Sequence, residues 1–131
     1  MATRSHIGVK NHKEDTVDYI YCHWDGYPEY VGKVLTEYYQ DMDRVNALMK
    51  LGDLSFLGSE IGEKHEFGKS PNPKWCIAYG RDRREPNSVV HSSTFERLLG
   101  NNCVDYLYVF DGEFWNCYDT HTKEYINLYH E

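Results

Sequence analysis

An Asp-Gly pair, Asp111-Gly112, separates two strand-like aromatic runs, VDYLYVF and EFWNCYD. Asp-Gly tolerates the backbone angles of a tight reversal, and aromatic and β-branched residues suit a pleated, half-buried surface. Any fold of this chain must therefore place two paired strands near its C-terminal end. The pattern recurs near the start. In RSHIGVK, Ile7 and Val9 alternate with His6, Gly8 and Lys10. After the polar turn NHKED, TVDYIYC sets Val17, Tyr19 and Tyr21 against Asp18, Ile20 and Cys22. A first hairpin is predicted from about Arg4 to Cys22.

Between the hairpins the period changes. Val31, Val34, Leu35, Tyr38, Met42, Val45, Leu48 and Met49 recur at spacings of three and four, the stripe of an amphipathic helix. Pro28 suits its first turn and Glu29 its positive end. Asp41 can break the stripe by capping a second helix, and Gly52 can stop it. DLSFLG reads as a short turn, and residues 58–73 as a surface loop. KWCIAYG reads as a strand ending near Tyr79. A second loop follows over 81–92, then a capping box from Ser93 to Glu96 opens a short helix. THTK is a turn and EYINLYH a last strand. The chain, residues 1–131, is expected to form a single α+β domain. Its antiparallel sheet would have about six short strands, with two or three helices packed on one face.

The formal net charge of −7 disfavours binding nucleic acid through a basic face. No long acidic run supports a DNA mimic, which stays a weaker alternative. No apolar run approaches the roughly 20 residues of a membrane span. MATRSHIGVK lacks the apolar segment of a signal peptide. Four cysteines, Cys22, Cys76, Cys103 and Cys117, form no C-x-x-C pair, and no His/Cys spacing matches a zinc site. Reduced thiols, no metal and no cofactor are the expectation, in a cytoplasmic protein.

Two stretches could carry a site. One is CHWDGYPEY, residues 22–30. Trp24 and Tyr27 can stack on a ring, and the helix that starts after them could offer amides to an anion. His23 and Asp25 could form a general base and its orienting carboxylate, the basis of a small-hydrolase alternative. The bland reading is a well-made turn, with Asp25-Gly26 reversing the chain and Trp24 packed. The other stretch is YGRDRREP. Arg81, Arg83 and Arg84 form the one dense basic group of an acidic chain, and guanidinium forks suit phosphate. Tyr79 ends the preceding strand. The bland reading is a solvated loop, with the arginines paired to Asp82 and Glu85.

MATRSHIGV, IYCHWDGYPEYVGKVL, LGDLSFLG and YGRDR together resemble a family of small phage- and prophage-encoded proteins of unassigned function. The resemblance is strongest over roughly residues 1–58 and Tyr79–Arg83. It implies a phage accessory protein in the cytoplasm of an infected bacterial host, with a counter-defence role. It supplies no catalytic residues. The functional expectation is a non-enzymatic protein that sequesters a small anionic, nucleotide-like ligand, with no nucleic-acid or membrane partner. Its candidate site is His23, Trp24, Asp25, Tyr27, Tyr79, Arg81, Arg83 and Arg84. A homo-oligomer with pockets between subunits would suit that role. The alternative is a protein–protein inhibitor that docks on a host defence complex through its tyrosines.

Overall fold

The computed structural model describes residues 2–129. Both expected hairpins form. Strands β1 (Ser5–Asn11) and β2 (Thr16–Cys22) pair antiparallel from Ser5↔Cys22 to Asn11↔Thr16. Strands β6 (Tyr106–Phe110) and β7 (Trp115–Asp119) pair from Tyr106↔Asp119 to Phe110↔Trp115. The β6–β7 reversal is wider than a two-residue turn. Residues 111–114 lie outside the pairing, and Asp111 Oδ1 accepts from the Glu113 and Phe114 amides while Gly112 sits at φ +104°.

The remaining strands are β3 (Leu54–Phe56), β4 (Ile77–Ala78), β5 (His91–Ser93) and β8 (Tyr125–Ile126). The sheet order is β4-β3-β2-β1-β6-β7-β8, with β5 also paired to β2. The sheet is mixed rather than antiparallel, because β1–β6 and β2–β3 run parallel. It has eight strands, not about six. DLSFLG, expected to turn, supplies β3.

Among the described residues, four helices flank the sheet. A wide turn, Pro28–Gly32, leads into α1 (Lys33–Tyr38). Asp41 caps α2 (Met42–Lys50), accepting from the Arg44 amide at 2.9 Å, and Gly52 follows at φ +73°. Helix α3 is Tyr79–Arg83 and α4 is Phe95–Leu99. The α4 cap is Thr94, one residue later than expected, accepting from the Arg97 amide at 3.2 Å.

Strand alternation divides the buried residues between two faces. Ile7, Ile20, Cys22, Tyr108, Phe110, Trp115 and Cys117 pack under Val34, Leu35, Val45 and Leu48 of α1 and α2. Val17, Leu107 and Val109 face the other way, against Leu98 of α4. Helices therefore lie on both faces, not one. The reason is composition: β2 and β6 carry apolar side chains on both of their faces, so each face needs cover. Burying a Leu- or Phe-sized side chain contributes about 1.5–3 kcal/mol, so neither cluster is left open to water. Trp115 and Tyr39 lock the main core by polar as well as apolar contact. Trp115 Nε1 donates to the Tyr39 carbonyl at 2.8 Å, and the Tyr39 hydroxyl donates to the Gly58 carbonyl at 2.7 Å.

No helix among the described residues is long and apolar enough to cross a membrane.

Candidate functional site

The 22–30 corner is held from four directions. His23 N–H donates to the Leu54 carbonyl and Trp24 N–H to the Ser55 carbonyl, both at 3.0 Å, extending the β2–β3 pairing past the strand end. Gly26 N–H donates to the Thr3 carbonyl at 2.8 Å, and the buried Tyr108 hydroxyl donates to the Gly26 carbonyl at 2.7 Å. A Cβ on Gly26 would stand 2.9 Å from Ser5 and from the Thr3 carbonyl oxygen, so only glycine fits. Asp25 takes the left-handed conformation, φ 56°. Trp24 is nevertheless 46% exposed, and Tyr27 is exposed too. The turn is tightly tied but presents its rings outward.

His23 and Asp25 do not form a dyad. His23 Nδ1 is hydrogen-bonded to the Tyr21 hydroxyl at 2.8 Å, and Asp25 Oδ1 accepts from the Tyr27 hydroxyl at 3.3 Å. Two of the amides after the corner are not free for an anion either. Tyr30 and Val31 N–H both donate to the Tyr27 carbonyl at 3.0 Å.

What the corner joins is a row of rings on the α4 side of the sheet. Register explains it. Tyr19 and Tyr21 share a face with Val17, His6 lies opposite Tyr21, and His91 lies opposite Tyr19. Ring centroids along the row are 5.5 Å apart for His91–Tyr19, 4.7 Å for Tyr19–His6 and 6.2 Å for His6–Tyr21. They continue at 5.9 Å for Tyr21–His23 and 4.7 Å for His23–Trp24. Gly8, opposite Tyr19, makes room: a Cβ there would stand 2.5 Å from Val17 Cγ1 and 3.2 Å from Tyr19 Cβ.

Asp53 fastens the row from behind. Its Oδ1 accepts from the Tyr21 amide at 2.9 Å, and its Oδ2 meets His91 Nε2 at 3.3 Å. His6 is only 7% exposed, and its Nδ1 has no partner. Burial pushes the His6 imidazole down to about 4, with Asp53 opposing and His91 adding to the fall. The ring is neutral at pH 7. Burial also raises the Tyr21 phenol; Arg4 pulls it back, while Tyr79, Cys22 and Asp53 add to the rise. Arg4 and Tyr79 thus stand close enough to act on Tyr21.

The arginine stretch divides. Tyr79 begins α3 rather than ending a strand, and the expected 81–92 loop is helical over 81–83 and a strand from His91. Arg81 points inward. Its guanidinium donates to the Ile61 carbonyl at 2.8 Å, the Cys76 carbonyl at 2.9 Å and both Asp82 oxygens at 2.9 and 3.2 Å. Asp82 also accepts from the Ala78 and His65 amides. Burial alone would raise the Asp82 carboxyl, but the bonds from Arg81, Ala78 and His65 hold it below the usual range. Arg81 and Asp82 therefore clasp the 61–65 segment to β4, and Arg81 is not available to a ligand.

Arg83 is exposed. It lies over Phe67 and Tyr79, themselves stacked at 5.4 Å, and pairs with Glu85 at 2.9 Å. Arg84, also exposed, closes the helix at φ 61°. Of the expected site residues, His23 and Trp24 belong to the row, Tyr79 acts on Tyr21, and Arg83 stays with Phe67, Tyr79 and Glu85. Asp25 and Tyr27 belong to the neighbouring turn, and Arg81 to the clasp.

Sequence reasoning missed His6, Tyr19, Tyr21, Asp53, His91 and Arg4. Pairing Asn11 with Thr16 across the first turn already sets His6 against Tyr21, so that part was readable. Asp53 and His91 come from distant segments and left no local signal.

The row is a surface rather than a hollow. A groove of about 730 Å³ lies elsewhere, lined by Pro28, Glu29, Lys33, Tyr106, Ile126 and Leu128, with none of the row's rings. Among the described residues no three His, Cys, Asp or Glu side chains are placed to share a metal. The four cysteines are free. Burial pushes Cys22 and Cys117 up to about 12, and raises Cys76, so these three are poor nucleophiles.

No protein-family model matches the chain, and neither a curated protein nor a solved structure matches it.

Proposed function

We propose that this chain is a binding protein that captures a small, planar, anionic ligand of nucleotide type on the ring row. The observation that carries the reading is the unbroken series His91–Tyr19–His6–Tyr21–His23–Trp24, each ring in contact with the next. Stacking a base on an aromatic side chain contributes about 1–3 kcal/mol, and it needs only a presented ring face or edge. Trp24 presents one. Arg4, beside Tyr21, supplies positive charge for phosphate at the margin. No nucleophile stands among the rings, which favours holding a ligand over converting it. A role in sequestering a host signal during phage infection is what the resemblance in MATRSHIGV, IYCHWDGYPEYVGKVL, LGDLSFLG and YGRDR would imply.

Titrating the protein with purine nucleotides tests this through tryptophan fluorescence. Quenching that saturates in the wild type and is lost in Trp24→Phe supports the row. Saturable binding that leaves Trp24 unperturbed and survives Tyr19→Ala would place the site elsewhere.

One observation favours another reading, a protein-docking surface. Phe114, Tyr125 and Tyr129 are exposed around the β7–β8 edge, with Phe114 and Tyr129 in edge-to-face contact at 5.4 Å. Exposed aromatic clusters are typical of interface anchors. A Phe114→Ser, Tyr125→Ser variant that keeps nucleotide binding but loses counter-defence activity in cells would favour this reading.

A further inference from the structure

The groups inside the row set what a ligand must offer, if the row is the binding surface proposed above. One is His6. It packs against Tyr19 and Tyr21 and is more than nine-tenths buried, and its Nδ1 has no partner. A buried N–H without an acceptor is rarer and costlier than a bare lone pair, so Nδ1 is assigned as the unprotonated nitrogen. It is an acceptor with nothing to accept.

Asp53 is the other. Its carboxylate is largely buried, at 17% side-chain exposure, and holds the Tyr21 amide and His91. A carboxylate offers about four lone-pair sites, so some remain open. The middle of the row is therefore rich in acceptors and has no Lys or Arg among its rings. The cation that acts on the row is Arg4, beside Tyr21. A ligand that fits must be a donor at its flat end and an anion at its far end.

We propose that the row takes an amino-bearing purine nucleotide. The purine stacks on the rings, its exocyclic amine donates to His6 Nδ1 and toward Asp53, and its phosphate meets Arg4. A purine rather than a smaller base covers two neighbouring rings at once. Access to Nδ1 requires the half-buried Tyr19 or Tyr21 ring to swing aside, a rotamer change of the kind surface side chains make readily. A site that supplies unpaired acceptors discriminates strongly against an analogue that lacks the donor, because the acceptors then stay unpaired.

The test compares adenosine 5′-monophosphate with purine riboside 5′-monophosphate, which differs only in lacking the amine, by calorimetry on the wild-type protein. The expected result is binding of the amino form tighter by about tenfold or more, the sign of a donor meeting an otherwise unpaired acceptor. His6→Phe keeps an aromatic ring and removes the nitrogen; it should bring the two ligands to nearly equal affinity. Its fold is checked by its melting transition, and the wild-type comparison stands without it. Equal affinity of the two nucleotides for the wild type overturns the amino-group inference and leaves the stacking surface intact. Binding of neither nucleotide overturns both.

Discussion

The Tyr79–Arg84 stretch and the Thr16–Trp24 stretch make opposite use of their side chains. The arginine stretch has the composition of a ligand grip and is mostly structure. Arg81 commits its donors to two carbonyls and a buried carboxylate, and Asp82 accepts from two backbone amides besides. The Thr16–Trp24 stretch has the composition of an ordinary strand and turn, yet its Trp24 ring stays half exposed and the neighbouring His6 nitrogen has no partner. Charge density in a sequence marks groups that need partners. Whether those partners are internal or external is a question of which backbone groups lie nearby.

That contrast can be broken most sharply at Asp82. Asp82→Ala leaves Arg81 and two amides without their acceptor, and removing one partner of a buried pair costs about 3–5 kcal/mol. Chemical denaturation should show a loss of this size; a loss below about 1 kcal/mol, the range of an exposed pair, would mean that the clasp is solvated and Arg81 is free after all. Arg81→Ala should behave similarly.

Acid should act through His6. Its folded pKa lies below its unfolded one, so the unfolded chain binds more protons at intermediate pH. The stability associated with a neutral His6 is fully present above the ordinary value of 6.5 and falls as pH drops toward about 4. A depression of that size corresponds to at most about 3 kcal/mol. Melting temperatures followed from neutral pH into this acid range should decline less steeply in His6→Phe than in the wild type. Parallel declines would show that His6 is accessible to protons in the folded state. Asp82, held below its usual range, loses its contribution in the same direction at lower pH.

Trp24→Ala is expected to cost about 1 kcal/mol of stability or less, because the ring is half exposed, while lowering nucleotide affinity by about 1–3 kcal/mol. A stability loss of several kcal/mol, seen in denaturant titration, would make the corner structural like the arginine clasp. The smallest effect belongs to Arg83→Ala. Its exposed pairing with Glu85 should leave stability within about 0.5 kcal/mol of the wild type. Nucleotide affinity and its salt dependence should also stay unchanged, leaving the phosphate to Arg4; a lost salt-dependent share of affinity would bring Arg83 into the site.

The sequence by itself determined the local elements. Period-two alternation and two polar reversals defined both hairpins, but not the register of the second, which pairs Phe110 with Trp115 across a reversal wider than Asp-Gly alone. The three-and-four spacing defined α1 and α2, and Asp41 defined where they part. Those signals are carried by neighbours in the chain. Only the tertiary structure decided that β1 and β6 run parallel, because nothing near Ser5 or Tyr106 encodes a partner so far away in the chain. It also decided that DLSFLG pairs with Cys22 and Ala78 instead of turning freely. It sent Arg81 inward, because the Ile61 and Cys76 carbonyls come within reach only when β4 docks on β3. And it brought Asp53 and His91 to the row begun by His6, Tyr19 and Tyr21, since sheet pairing, not sequence proximity, fixes which side chains share a face.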